Sequence, residues 1–485
     1  MTDQPSQARP SRADVLWLSA ALCVGAVLIF WRLADKSLFP DEAFYYRESI
    51  ASLPRLINIT VYGNFHPPLF YLIFHYIDSV LHLPAPDYRY FTAPFGLLTI
   101  LATWALAFRW FGSVCAAIAG LVVATQPLLV AMDRLFWMYP IVIALAMVSW
   151  WLLLEAQDAT GWRRRWLWLG YGTIVVALPY TLYLGSFVVA AQGLYAVVRR
   201  DGAWPALAWG IAAALALIPW SWAIRIQLPH GAFPGAAFGV QGLATAVLLM
   251  TPPESWTSPT FDSILAALVV IVAATACWLG RRTALPYLFV PLVLQLIISF
   301  GFHRDLLLYR YVGLWLPAFA IALAAVAAWL LASRARVIGA LLIVVALAGN
   351  ATALANFLFD PYYQSTDWYA IEIALHERSR PGDILIFNQM EPYLVLEDSP
   401  DVKGHQVMLM SYPYPPQLAV KWLDAHPASR VWYIENQGYF PDPDRIVARY
   451  LAKTRPLLYS TLQKHSSEAY WALLQLYGEV KPARP

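Results

Sequence analysis

The chain has 485 residues, 60% of them hydrophobic and 13% charged, and a mean hydropathy of +0.53. That excludes an ordinary soluble globular protein. A formal net charge of +3 is too small for a nucleic-acid binder, so no nucleic-acid partner is expected. The 22 Trp and 27 Tyr suit a chain with many bilayer interfaces, where amphipathic rings collect. Membrane lipids are therefore expected partners.

A short polar segment with Arg9 and Arg12 leads into an apolar run from Val15 to Trp31. The run has no small-x-small cleavage pattern, so it reads as an uncleaved first helix with its amino end in the cytoplasm. Phe39-Pro40-Asp41-Glu42-Ala43-Phe44-Tyr45-Tyr46 follows it directly. Two adjacent carboxylates in an aromatic, proline-bearing loop at the end of a membrane helix read as a site, against the plainer alternative of solvated helix-end charges. His66-Pro67-Pro68-Leu69-Phe70-Tyr71 opens the next apolar run and is the second such element.

Further apolar runs lie near 68–83, 91–108, 114–132, 139–154, 165–183, 185–198, 204–225, 263–279, 284–301, 310–332 and 337–357. With the first run these make twelve candidate helices, because only helices satisfy their own backbone in lipid. A span needs roughly 17–25 residues, and the runs at 68–83, 139–154 and 185–198 are short. Arg163-Arg164-Arg165, Arg199-Arg200, Arg281-Arg282 and Arg334 with Arg336 fall at alternate loops, which assigns those loops to the cytoplasm. Arg109 fits the same frame. The loops around Asp87 to Arg89, Asp133-Arg134, Tyr183, 226–262 and His303, and the tail after Asn356, are then external. The alternation leaves 68–83 re-entrant or tilted, or a neighbouring helix miscounted.

Cys23, Cys115 and Cys277 lie far apart within apolar runs and form neither a metal spacing nor a disulfide framework. After about Phe357 the pattern changes to charges, prolines and short runs. A helix is predicted over Trp368–Arg378, a buried strand over Gly382–Phe387, a second strand over Arg430–Ile434, a helix near 443–454 and a last strand over Tyr470–Leu476. The expected organisation is a polytopic α-helical membrane domain, 1–357, with about 11–13 transmembrane helices and a first external loop at 34–67, followed by an extracytoplasmic α/β domain, 358–485.

The run Pro40-Asp41-Glu42-Ala43-x-Tyr45, followed by His66-Pro67-Pro68-Leu69-x-Tyr71, resembles the integral-membrane glycosyltransferases of family 39 type. These are relatives of protein O-mannosyltransferases and of bacterial lipid A aminoarabinose transferases, and have the GT-C fold. Arg89 opening a helix, Phe111-Gly112, Arg134 after Gln126-Pro127, Arg310-Tyr311 with Pro317, Asp367-Trp368 and Pro381-Gly382-Asp383 extend the resemblance over nearly the whole chain. Phe65-His66 stands where the aminoarabinose type has Glu-Lys, which speaks against that sugar as donor.

The resemblance implies a multi-pass enzyme of the cytoplasmic membrane. It would move a sugar from a polyprenyl-phosphate donor to an extracytoplasmic protein, lipid or glycan, with inversion. A phosphate leaving group needs cations rather than an acid, and a hydroxyl acceptor needs a base. Asp41 is the candidate base, with Glu42 holding it or the acceptor. His66 either orients the pair, binds a divalent metal together with Glu42, or is simply a capped residue beside Pro67. No cofactor is implied with certainty, and a divalent metal is left open.

Candidate donor-binding cations and their neighbours are His303, Arg304, Arg310 and Tyr311, since an arginine fork holds two phosphate oxygens at once. Interfacial anchoring is the alternative for Arg304 and, less so, for Arg310. Asp133 and Arg134 read as a helix-end ion pair or as substrate-binding residues, and Arg89 belongs to either class. The competing function is a flippase or exporter of lipid-linked sugars without transfer chemistry. It would place ionisable residues near the middle of several spans, whereas the charges here gather at the run ends.

Overall fold

A computed structural model describes residues 9–200, 203–229, 259–303, 306, 309–364, 366–410, 415–436, 442, 444–464 and 471–480. The chain divides into two compact units. The first comprises Met1–Leu33, Glu48–Leu83 and Tyr88–Leu354. The second comprises Ala34–Arg47, Pro84–Asp87 and Ala355–Pro485.

The first unit is a helical membrane body. Among the described residues, seven helices are long and apolar enough to cross a bilayer: Arg12–Phe30, Ala85–Phe111, Met138–Asp158, Trp204–Gln227, Leu285–Phe302, Arg310–Leu331 and Arg336–Phe359. The apolar pair Ser113–Ala124 and Pro127–Asp133, bent by 57°, makes a broken span or a re-entrant loop. Pro127 has no N–H to continue the first helix, and Gln126 caps the second by accepting from Leu128 N (2.6 Å) and Leu129 N (3.1 Å). The run read as 139–154 lengthens to the 21 residues of Met138–Asp158. That at 68–83 is the 13-residue helix Leu69–Leu81, about 20 Å long at 1.5 Å per residue. This is shorter than a bilayer core of about 30 Å.

Arg310–Leu331 lies at the centre of this body, 78% of its apolar window being buried, against 22% for Arg12–Phe30 and 11% for Trp204–Gln227. Its buried alanines, among them Ala320, Ala322, Ala324 and Ala327, allow close helix approach where lipid supplies no hydrophobic drive. Cys115 Sγ accordingly comes within 4.0 Å of Ile321 O. At one end of the body Glu155 accepts from both Arg109 (2.9 Å) and Arg163 (2.6 Å). These two arginines, assigned to one membrane face by sequence, share a carboxylate. Arg89 lies near the opposite end of the 27-residue span Ala85–Phe111.

The polar loop after the first helix α1 (Arg12–Phe30) is itself helical: α2 (Pro40–Ile50) and α3 (Leu53–Tyr62) precede α4 (Leu69–Leu81). The division between the two units falls inside α2, between Arg47 and Glu48.

The second unit contains a five-stranded mixed sheet: β1 (Ile384–Phe387), β2 (Gln406–Leu409), β3 (Val431–Asn436), β4 (Leu457–Gln463) and β5 (Ala472–Tyr477), in the order β2-β1-β3-β5-β4. β1 pairs in parallel with β2 and β3, while β5 runs antiparallel to β3 and β4. β1 and β3 are buried at every residue, which explains the apolar runs Ile384–Phe387 and Val431–Ile434. Gly382, at φ 91°, makes the left-handed turn into β1, and Asp383 then holds Arg430 (2.7 Å) and Trp432 Nε1 (3.1 Å) at the head of β3. The predicted helices appear as Trp368–Arg378 and Ile446–Thr454. β2 and β4, the two edges of the sheet, are additions to the sequence reading.

Candidate functional site

In the second unit, Pro40 takes the first position of α2, where its missing N–H costs nothing, and puts Asp41 and Glu42 in the first helical turn. Carboxylates are favoured at that end of a helix dipole. Glu42 is fully buried, and its Oε2 accepts the Phe39 backbone N–H at 2.8 Å, so it closes the turn on which Asp41 is mounted. Asp41 is half-buried. Ser37, upstream, accepts from Trp368 N (3.1 Å) and donates to Thr366 O (3.5 Å). Downstream, Arg47 pairs with Glu397 (2.7 Å) and with Asp398.

In the first unit, His66 sits in the turn between α3 and α4 and is 3% exposed. A buried polar network fixes its backbone. Asn64 Oδ1 accepts from Phe65 N (2.7 Å) and His66 N (3.2 Å), while Gln227 Nε2 donates to Thr60 O (2.6 Å) and His66 O (3.1 Å). Glu48 anchors the other side, accepting from Thr60 Oγ1 (2.5 Å) and Asn64 Nδ2 (2.7 Å), and Asn64 Nδ2 also meets the Tyr71 hydroxyl at 2.6 Å. Tyr183 donates to Gln227 Oε1 (2.5 Å) and accepts from Trp220 Nε1 (2.9 Å). Burial pushes the Glu48 carboxyl up to about 7, with the Thr60 and Asn64 bonds opposing the rise. Burial first, and the Arg310 charge second, lower His66 to about 3. His66 is therefore a neutral imidazole near an arginine.

Arg310 is half-buried at the start of its span, its guanidinium carbon 6.0 Å from the centre of the Tyr311 ring. Tyr311 faces Tyr139 at 6.1 Å between ring centres, and its carbonyl accepts from Gln295 Nε2 (3.1 Å). His303 caps the preceding helix in the left-handed region (φ 52°) and is exposed. Arg304 lies outside the described residues.

Arg89 and Arg134 are both buried and turn to the end of α1. Arg89 Nη1 donates to Leu33 O (3.0 Å), and Arg134 Nη1 donates to Leu28 O (2.8 Å) and Ile29 O (2.9 Å). Arg134 thus meets carbonyls in the last turn of α1, and Arg89 one in the segment just past it. The helix-end ion pair read between Asp133 and Arg134 gives way to this arrangement, because the guanidinium reaches across to α1. Asp133 instead packs its buried carboxyl on Gly96, where an added Cβ would lie 2.3 Å from Oδ2.

Among the described residues no group of three or more His, Cys, Asp and Glu side chains is arranged to hold a metal ion. Of the two residues considered for one, Glu42 belongs to the second unit and His66 to the first. The sequence reading missed Glu48, Asn64 and Gln227. Asn64, two residues before His66, was the one with a local signal.

No protein-family model matches the chain, and no curated protein matches it in sequence. Solved structures do. ArnT from Cupriavidus metallidurans in the apo state superposes with a TM-score of 0.56 at 16% identity, over 95% of this chain and 97% of that one. The same protein bound to undecaprenyl phosphate gives 0.55 at 16% identity, with the same coverage. The archaeal oligosaccharyltransferase AglB from Archaeoglobus fulgidus, in complex with an inhibitory peptide and a dolichol-phosphate, gives 0.52 at 11% identity, over 98% of this chain and 75% of that one. At such identities the likeness is one of fold: this chain is a multi-pass helical protein with the GT-C fold and a small C-terminal sheet region.

Proposed function

We propose that this protein is a membrane glycosyltransferase that moves a sugar from a polyprenyl-phosphate donor to an acceptor on the extracytoplasmic face of the cytoplasmic membrane. The observation that carries the reading is the buried, network-held His66 near Arg310 at the head of the most buried of the described spans. An arginine at a span end suits a lipid-anchored phosphate, and a neutral imidazole adds a hydrogen bond without a competing charge. The GT-C fold, shared with an ArnT structure bound to undecaprenyl phosphate, supports a lipid-linked donor.

The chemistry follows from those groups. The acceptor hydroxyl attacks the anomeric carbon, the bond from that carbon to the phosphate oxygen breaks, and polyprenyl phosphate leaves with the electron pair. Asp41 takes the hydroxyl proton, Glu42 keeps the Asp41 turn closed, and Arg310 offsets the charge growing on the phosphate. A single displacement inverts the sugar carbon.

The test is transfer in vitro by the purified full chain from polyprenyl-phosphate sugars, paired with mass spectrometry of envelope glycans and lipids in a strain lacking it. A modified glycan or lipid that disappears in that strain and is rebuilt by the purified protein supports the reading. Lipid-linked sugar that is bound or moved across vesicles with no transfer to any acceptor supports the exporter instead. A reporter active only in the cytoplasm, fused after Pro485, should stay silent.

A further inference from the structure

The segment that carries Asp41 and Glu42 belongs to the sheet-bearing unit, although it follows the first membrane helix in sequence. Two anchors flank it. Four residues before Asp41, buried Ser37 is built into the start of helix Trp368–Arg378 through Trp368 N and Thr366 O. Trp368 is itself fully buried in a sheet-face core with Ile371, Leu375 and Leu385. Six residues after Asp41, or about 9 Å along the helix, Arg47 pairs with Glu397 and Asp398, and Asp398 is held in turn by Lys403 (2.8 Å).

We propose that the sheet-bearing part of this unit, after Ala355, is a positioning element for the Asp41 turn, acting through Arg47 and Ser37; the proposal rests on the reading of Asp41 as the base. A base performs only within hydrogen-bond reach of its proton, and a misplacement of about 1 Å can cost about 10²-fold in rate. Arg47 and its partners are partly exposed, with side-chain exposures of 24%, 23% and 60%, so their pairing adds little to folding. What the pairing does supply is a fixed setting of the Asp41-bearing end of α2 on its own unit. Arg47 is thus a positioning residue, and its partners Glu397 and Asp398 have a role in turnover without touching substrate.

The experiment uses the purified full chain with a polyprenyl-phosphate sugar donor, comparing the parent with Arg47→Met, Arg47→Lys, the paired exchange Arg47→Glu with Glu397→Arg, Ser37→Ala and Asp41→Asn. We expect Arg47→Met to lower kcat about tenfold or more, with the donor KM and the melting temperature near the parent's. Arg47→Lys should recover most of that loss, the paired exchange only part of it because a Glu at 47 would face Asp398, and Ser37→Ala should lower kcat in the same sense. Parent-like kcat in both Arg47→Met and Ser37→Ala, beside an inactive Asp41→Asn, would overturn the positioning role and leave the base standing. A raised KM at unchanged kcat in Arg47→Met would overturn it too, by making Arg47 a substrate contact. An active Asp41→Asn would remove the base reading and this proposal with it.

Discussion

The Glu48 carboxyl accepts the Asn64 side-chain amide at 2.7 Å, and the oxygen of that same amide accepts the backbone N–H of His66 at 3.2 Å. One asparagine thus joins a buried acid on α2 to the turn that presents His66. Gln227 grips the same turn through the His66 carbonyl, from the end of a distant span. A turn held on both sides keeps its imidazole in one place, as a binding site requires.

Asp41→Asn keeps the shape of the turn and removes the base. We expect turnover to fall by about 10²–10⁴-fold, with donor binding and melting temperature unchanged. Glu42→Gln should cost less in rate, because its role is the Phe39 N–H, whereas Glu42→Ala should also destabilise the turn by about 1 kcal/mol. Single-turnover assays on variants matched for thermal stability separate the effects, and near-parent turnover by Asp41→Asn removes Asp41 as base.

Arg310→Ala should weaken donor use far more than it alters protein level. A charge-assisted bond to phosphate is lost, which predicts a fall in kcat/KM of about tenfold or more. Taking away the Arg310 charge also relieves one of the two causes that lower His66, so its imidazole should titrate higher. Unchanged transfer kinetics would show that the guanidinium meets no phosphate.

Arg134→Met distinguishes an architectural arginine from a substrate-binding one. It leaves Leu28 O and Ile29 O without their donor, at about 1–3 kcal/mol for each buried group. The melting temperature should drop, while the donor KM of the protein that remains folded should hold. A raised KM with intact stability would restore Arg134 to the binding site.

Glu48 and His66 make opposed contributions to stability against pH. The folded-state value of Glu48 is raised from 4.5 to about 7, so its contribution is full below about 4.5 and is lost as pH rises to about 7. That of His66 is lowered from 6.5 to about 3, so its contribution is present above about 6.5 and is lost as pH falls towards 3. The two nearly cancel between about 4.5 and 6.5. In thermal unfolding of Glu48→Gln, stability relative to the parent should therefore climb from about pH 4.5 to about 7 and stay level outside that window. A difference that does not change with pH would mean that Glu48 titrates normally in the folded protein.

Much of the architecture is written in composition alone, because lipid imposes a simple rule. A backbone in hydrocarbon must satisfy itself, so long apolar runs become helices, as at Arg12–Phe30 and Arg336–Phe359. β1 and the Val431–Ile434 stretch of β3 are legible for a related reason: interior strands are buried on both faces and read as short apolar runs. β2 and β4 escape notice because each is an edge with a single neighbour, and no residue of either is fully buried. The carboxylate pair and His66-Pro67-Pro68 stand out as polar elements where apolar runs meet. Tertiary structure alone decides which distant groups they meet. Gln227 reaches His66 across 161 residues of sequence, and Ser37 reaches Trp368 across 331. Arg134, adjacent to Asp133, turns instead to carbonyls more than 100 residues away. A buried hydrogen bond is chosen by where an unsatisfied donor or acceptor is left when helices pack, and that is a property of the packed body rather than of any local run of residues.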